Sequence, residues 1–148
     1  MHRILALGAV CSVGLAAVVA VAAPNDVAPI SQPLHLDKAF RMPLSNGCRY
    51  DVAIRGDIVP TESRGGGTAV PDLIVTADLQ CPNEATLRLT QAVANTGPLT
   101  SDALEQTLEN AARLTAPVGN PPCVYTPDFN LSNAGLVLRA VAFSCPMP

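Results

Sequence analysis

From residue 48 onward, apolar and polar residues change places with a period of two. Cys48, Tyr50, Val52 and Ile54 alternate with Arg49, Asp51, Ala53 and Arg55, the pattern of a strand with one face buried. Leu73, Val75, Ala77, Leu79 and Cys81 alternate in the same way with Asp72, Ile74, Thr76, Asp78 and Gln80, which predicts a second strand. Between the two, residues 61–68 hold Gly65-Gly66-Gly67 and predict a flexible connection. Pro82-Asn83 predicts a turn. Leu87 and Leu89, set among Thr86, Arg88 and Thr90, predict a third strand.

The period then lengthens, and the spacing predicts a helix over 100–115. Thr100 is the expected N-cap, with Leu99 before it and Leu104 after it placed to form a hydrophobic staple. Asp102 and Glu105 suit the positive start of the helix and Arg113 its negative end. Leu104, Leu108 and Ala111 form one apolar face, Glu109 and Arg113 are spaced to pair, and Pro117 and Gly119 are expected to stop the helix. Cys123-Val124-Tyr125 predicts a short strand limited by Pro127, and residues 130–135 a turn-rich loop. Residues 136–145 predict a final strand, apolar on both faces apart from Arg139, hence central in a sheet. The strands over 48–58 and 86–91 are expected at sheet edges, where unpaired backbone invites pairing with another strand.

Before residue 48 the pattern is different. Met1-His2-Arg3 supplies a basic start, and from Ile4 to Ala23 there is no charged residue. A basic start, an apolar run and Ala20-Val21-Ala22 as an A-x-A end predict a secretory signal peptide over residues 1–22. An uncleaved anchor is the competing reading, since the run is just long enough to span a bilayer. That segment is the one expected link to a membrane. Residues 23–46 carry Pro24, Pro29, Pro33 and Pro43 and read as an extended, poorly ordered arm. A single disulfide-stabilised domain over 47–148 follows.

Export changes the meaning of the cysteines. With Cys11 lost in the signal, Cys48, Cys81, Cys123 and Cys145 remain. Four cysteines in a small exported chain read as two disulfides. No metal is expected, because no pair has C-x-x-C spacing and the single histidine after the signal is His35. The chain also reads twice as Cys-x-Tyr, strand, loop, strand, Cys-Pro: first from Cys48-Arg49-Tyr50 to Cys81-Pro82, then from Cys123-Val124-Tyr125 to Cys145-Pro146. In a hairpin the first residue of one strand faces the last of the other. Each cysteine also shares parity with its strand's apolar face. Cys48–Cys81 with Cys123–Cys145 is therefore the preferred pairing, and Cys48–Cys123 with Cys81–Cys145 the next. The fold class expected is α+β: an antiparallel sheet of about five strands, made of two disulfide-closed hairpins, with one helix packed on a face.

Composition narrows function mainly by exclusion. The remaining chain of about 125 residues suits one modest core. It is mildly acidic, with net charge −3 for the whole chain, and shows no basic patch, so nucleic acid is not an expected partner. There is no tryptophan, and few aromatic rings are free to stack on sugars. His35 lies in the proline-rich arm, away from any nucleophile, and no cofactor motif is present. Asp72 and Asp78 share the polar face of one strand, and Asp51 could lie across from it, which keeps a small carboxylate-dependent hydrolase as an alternative. Asn130-Leu131-Ser132 matches a glycosylation acceptor. Ser63, Arg64, Gly65 and Gly66 could present a side chain to a partner's pocket, as in a small secreted enzyme inhibitor. The expectation that covers these observations is a non-catalytic, exported or envelope-associated protein that binds another protein, with its oligomeric state open.

Overall fold

A computed structural model describes residues 30–61, 67–94, 96–116 and 122–146. The expected signal segment, Ser63, Arg64, Gly65 and Gly66 of the expected flexible connection, and Pro117 and Gly119, expected to stop the helix, lie outside them. The two alternating segments form β2 (Arg49–Thr61) and β3 (Thr68–Gln80), antiparallel from Arg49↔Gln80 to Thr61↔Thr68. β4 (Leu87–Val93) pairs with β3 on its other side. Asn83 takes φ 62° in the expected turn, and the Glu84 amide donates to the Cys81 carbonyl at 3.3 Å.

The proline-rich arm is ordered over much of its length, which corrects the sequence expectation. β1 (Leu34–Pro43) pairs with the whole first part of β2, from Leu34↔Ile58 to Pro43↔Arg49. Pro43 closes an edge strand, where a missing N–H is tolerated. Ile30 is buried, its amide donating to Ser101 Oγ at 3.2 Å, while Ser31 and Asn133 exchange hydrogen bonds at 3.1 and 3.2 Å. β2 is consequently an inner strand and not an edge.

A single sheet of about five strands is also corrected: there are two sheets. One holds β1-β2-β3-β4, with β5 (Leu99–Thr100) joining β3 beyond the end of β4. The second holds β6 (Leu114–Ala116), β7 (Cys123–Ser132) and β8 (Gly135–Ser144). The buried faces of both sheets and of the helix meet in one core, in which Phe40 of the first sheet approaches Phe129 of the second, ring centroids 6.5 Å apart. The architecture is α+β in the broad sense, mostly antiparallel sheet with one short helix among the described residues.

The helix, α1 (Ser101–Ala111), starts where expected: the Ala103 amide donates to Thr100 Oγ1 at 3.2 Å. It ends four residues early. Leu114 and Ala116 alternate inward and pair with β7 as Leu114↔Tyr125 and Ala116↔Cys123. Sheet pairing outcompetes a last helical turn because it buries both side chains and satisfies their backbone. The expected Glu109–Arg113 pair is replaced too. Glu109 accepts the Phe129 amide at 3.2 Å, and Glu105 accepts that of Leu131 at 2.7 Å. The spacings match: four helical residues rise about 6.0 Å and two strand residues about 6.6 Å.

These carboxylates also explain why Pro127 does not end β7, as the sequence suggested. β6 pairs only as far as Tyr125, and α1 takes over at Phe129. Along one side of the ladder, Pro127 falls between them, at the one position where an N–H would find no acceptor. β7 runs on to Ser132, so the expected loop over 130–135 shrinks to Asn133-Ala134. Asn130 of the glycosylation motif sits within the strand, opposite Val137.

β8 is an edge strand and not a central one. The register slips between Asp128↔Ala140 and Phe129↔Leu138, leaving Arg139 as an extra residue. A bulge reverses parity, so Leu136 and Leu138 before it and Val141 and Phe143 after it all face the core. That reversal produces the apparent two-sided apolarity.

Disulfides join Cys48 to Cys81 and Cys123 to Cys145, with Cα atoms 4.1 and 4.2 Å apart. The two tyrosines of the repeated motif reach across the molecule. Tyr50 Oη donates to the Ala112 carbonyl at 2.6 Å, at the helix end leading into β6. Tyr125 Oη accepts from Asn46 Nδ2 at 3.0 Å, in the turn leading into β2. Burial holds the Tyr50 phenol protonated far above its usual range. Y50F should leave the fully buried Ala112 carbonyl unpartnered and cost about 1–3 kcal/mol. Chemical denaturation is expected to show this as a lower midpoint with an unchanged slope.

Candidate functional site

The outward face of the first sheet is built by the same alternation that fills the core. The registers place its side chains in rows across the strands. One row runs Arg41–Asp51–Asp78–Arg88, the next Ala39–Ala53–Thr76–Thr90, and the next Asp37–Arg55–Ile74–Ala92. The last runs His35–Asp57–Asp72.

In the first row two carboxylates stand directly opposite each other, which destabilises a sheet unless the charges are compensated. They are. Asp51 accepts from Arg41 Nε and Arg49 Nε, both at 3.2 Å. Asp78 takes a two-pronged contact from Arg88, through Nε and Nη2, both at 2.7 Å. The carboxylates are sheltered, with side chains 23% and 16% exposed, while Arg41 and Arg88 stand out at 69% and 68%. The fork of Arg88 holds the Asp78 carboxyl below its usual range. Thr76 and Thr90 bridge through their hydroxyls at 3.3 Å, and Arg55 Nε donates to Asp37 at 3.0 Å.

Small side chains in the second row leave a depression of about 280 Å³, floored by Ala39, Ala53 and Thr76 and rimmed by Arg41, Asp51, Asp78 and Arg88. Around it lie exposed Ile74 and, further along β2, Val59, at 57% and 53%. A second hollow of about 170 Å³, lined mainly by Leu79, Ala85, Leu87 and Ala116, sits beside the Cys48–Cys81 bridge.

Of the carboxylates singled out in the sequence, Asp51 and Asp78 are brought together and Asp72 is not. Asp72 lies six residues along β3 from Asp78, roughly 20 Å away, and opposite Asp57. A general acid needs a carboxyl whose pKa is raised toward neutrality. Asp78 is shifted the other way, and Asp51 commits both oxygens to arginines. His35 is placed on β1, not in a loose arm, and its Nδ1 lies 2.8 Å from Asp57 Oδ1 on the exposed face. Among the described residues no three or more His, Cys, Asp or Glu side chains gather as a metal site. No described helix is long and apolar enough to cross a membrane. Thr61 and Thr68, which flank the Ser63–Gly66 loop, face each other with hydroxyls 2.6 Å apart. Sequence reasoning passed over Arg41, Arg88, Ala39 and Ala53. The regular exchange of Arg and Asp at alternate positions of β2 marked this face, but not which residues of β1 and β4 complete it.

A second group of acids lies at the helix. Burial raises the Glu109 carboxyl above its usual 4.5, helped by the nearby charges of Asp128 and Glu105 and opposed by the Phe129 amide. A raised acid stabilises the fold fully below its unfolded value and loses that contribution as pH rises through its folded value. Glu109 therefore favours the fold on acidification toward 4.5, whereas Asp78 withdraws support only as pH falls below 3.8. E109Q keeps an acceptor for Phe129 and removes the charge. Its melting temperature, relative to the parent, is expected to rise as pH climbs from 4.5 through the carboxyl's raised folded value and then level off; a difference flat with pH throughout would place the raised carboxyl elsewhere.

No family model, curated protein or solved structure matches this chain.

Proposed function

We propose that this is an exported, non-catalytic protein that binds a folded protein partner through the outward face of its five-stranded sheet. Export is supported by the basic start, the apolar run and the A-x-A end of residues 1–22, and is compatible with the two disulfides. The observation that carries the binding reading is the Arg41–Asp51–Asp78–Arg88 row over a small-residue depression. Its carboxylates are neutralised from the sides while the guanidinium groups remain exposed, so the face is preorganised and its donors are available. A partner suited to it carries interspersed acidic and basic side chains and more than one small apolar group, or a large ring, for the hollow. Electrostatic matching of this kind sets specificity and association rate more than raw affinity.

A photoreactive side chain placed at Ala53 is expected to cross-link one protein in the producing cells, where the same group at Gln106 on the helix does not. With that partner purified, A53W should weaken binding at least about tenfold, leave the melting temperature unchanged and, with R41A, reduce the salt dependence. Binding that ignores A53W but is lost in R64A would assign the activity to the Arg64 loop, the inhibitor-like alternative. Catalysis lost in D51N and D78N, with the fold intact, would replace binding by the hydrolase reading.

A further inference from the structure

The strongest uncommitted feature is the free edge of β1. Ten residues long, it is hydrogen-bonded to β2 on one side and to no described strand on the other; β8 packs against β1 without sharing a ladder with it. Its sequence is self-complementary. Two copies related by a twofold axis perpendicular to the sheet pair residues of equal parity, because both must present the same side chains to the same face. With the axis at Ala39, Asp37 faces Arg41 of the second copy and Arg41 faces its Asp37. Leu36 faces Met42, and Lys38 faces the half-buried ring of Phe40, a setting for cation–π contact.

Neighbouring registers are worse. Axes at Asp37, Lys38 or Arg41 set a charge against itself, and an axis at Phe40 forms no ion pair. The charges also join rows that already exist. Arg55 holds Asp37 at 3.0 Å and Arg41 holds Asp51 at 3.2 Å. Pairing at Ala39 links them as Arg55–Asp37–Arg41–Asp51, alternating in sign across the junction.

We propose that β1 pairs antiparallel with β1 of a second copy about Ala39, joining the two five-stranded sheets into one. The pairing satisfies the edge backbone of both copies and places the two outward faces side by side. Lys38 on the core side of the edge is a residue that ordinarily discourages strand addition. Here it restricts the edge to the one register that gives it a ring to cover, and disfavours unrelated strands.

The test is the mass of the purified, disulfide-bonded chain by sedimentation equilibrium, from low to high micromolar. The unchanged protein is expected to go from one chain to two with rising concentration, and less readily in high salt. A39K and A39E, both at an exposed position, each set like charges across the axis and should stay at one chain with unchanged circular dichroism. Mixed in equal amounts they should form a one-to-one pair, seen by native mass spectrometry. An unchanged protein that stays at one chain throughout overturns the proposal. So does a pair that A39K leaves intact, which would put the contact on another surface. The readout is mass alone, so it stands or falls apart from the binding of any partner.

Discussion

G56A is expected to destabilise the protein by about 3 kcal/mol or more, lowering its melting temperature by roughly 10 °C or more. Gly56 faces inward in the middle of β2, opposite Leu36 and Leu73, with φ 133°. A side chain there is strained by the backbone alone. It also has nowhere to go: a Cβ would overlap the carbonyl oxygen of Asp72 and stand 3.0 Å from Leu73 Cα. Both are backbone atoms held in the central ladder, so relief requires moving β3. Gly135 separates the two contributions, because its φ of 122° is as unusual but its Cβ would meet nothing within 4 Å. G135A should therefore cost only about 1 kcal/mol. Equal losses in thermal melts of the two variants would mean that close approach at Gly56 is not what matters.

The second large effect is expected from the disulfides, and they should not be equivalent. Loop-closure entropy gives about 3–4 kcal/mol for each. The spans of 33 and 22 residues are too similar for it to separate them. Burial separates them. Cys48 lies in the core, 6% exposed, with Sγ 3.7 Å from Tyr125 Oη, whereas Cys145 is exposed. Mild reduction should open Cys123–Cys145 first, as alkylation and peptide mapping would show. C123S/C145S should remain folded with a lower melting point. C48S/C81S, which adds polar groups to the core, should lose most of a total stability of about 5–15 kcal/mol. Reduction of Cys48–Cys81 ahead of the other bridge would contradict this order.

What could be read from the sequence was whatever depends on local alternation. β2, β3 and β4, the Thr100 cap and the inward parity of all four cysteines follow from period and spacing, and the hairpin pairing of the bridges follows from that parity. What could not be read depends on residues far apart in the chain. β1 carries Leu34, Leu36, Phe40 and Met42 at alternate positions. Lys38 interrupts them and two prolines bracket them, and only the neighbouring strand shows why that suits an edge. Pro127 in a strand makes sense once β6 is seen to stop at Tyr125 and α1 to begin its contacts at Phe129. The bulge at Arg139 turns a one-faced strand into one that looks two-faced. At the candidate site, the meeting of Asp51 and Asp78 was within reach of the alternation. The arginines that neutralise them were not, because Arg41 and Arg88 come from strands whose register no local pattern reveals.

The crossed tyrosines have a consequence for how the molecule comes apart. Tyr50 of the first sheet holds the segment that feeds the second, and Tyr125 of the second holds, through Asn46, the segment that feeds the first. Each half of the repeated pattern thus keeps a latch whose catch belongs to the other half. A chain divided between β4 and α1 would yield two fragments, each missing its fastening, and neither would be a miniature of the whole. The two halves read alike, yet they are expected to behave as one cooperative unit and to melt in a single step.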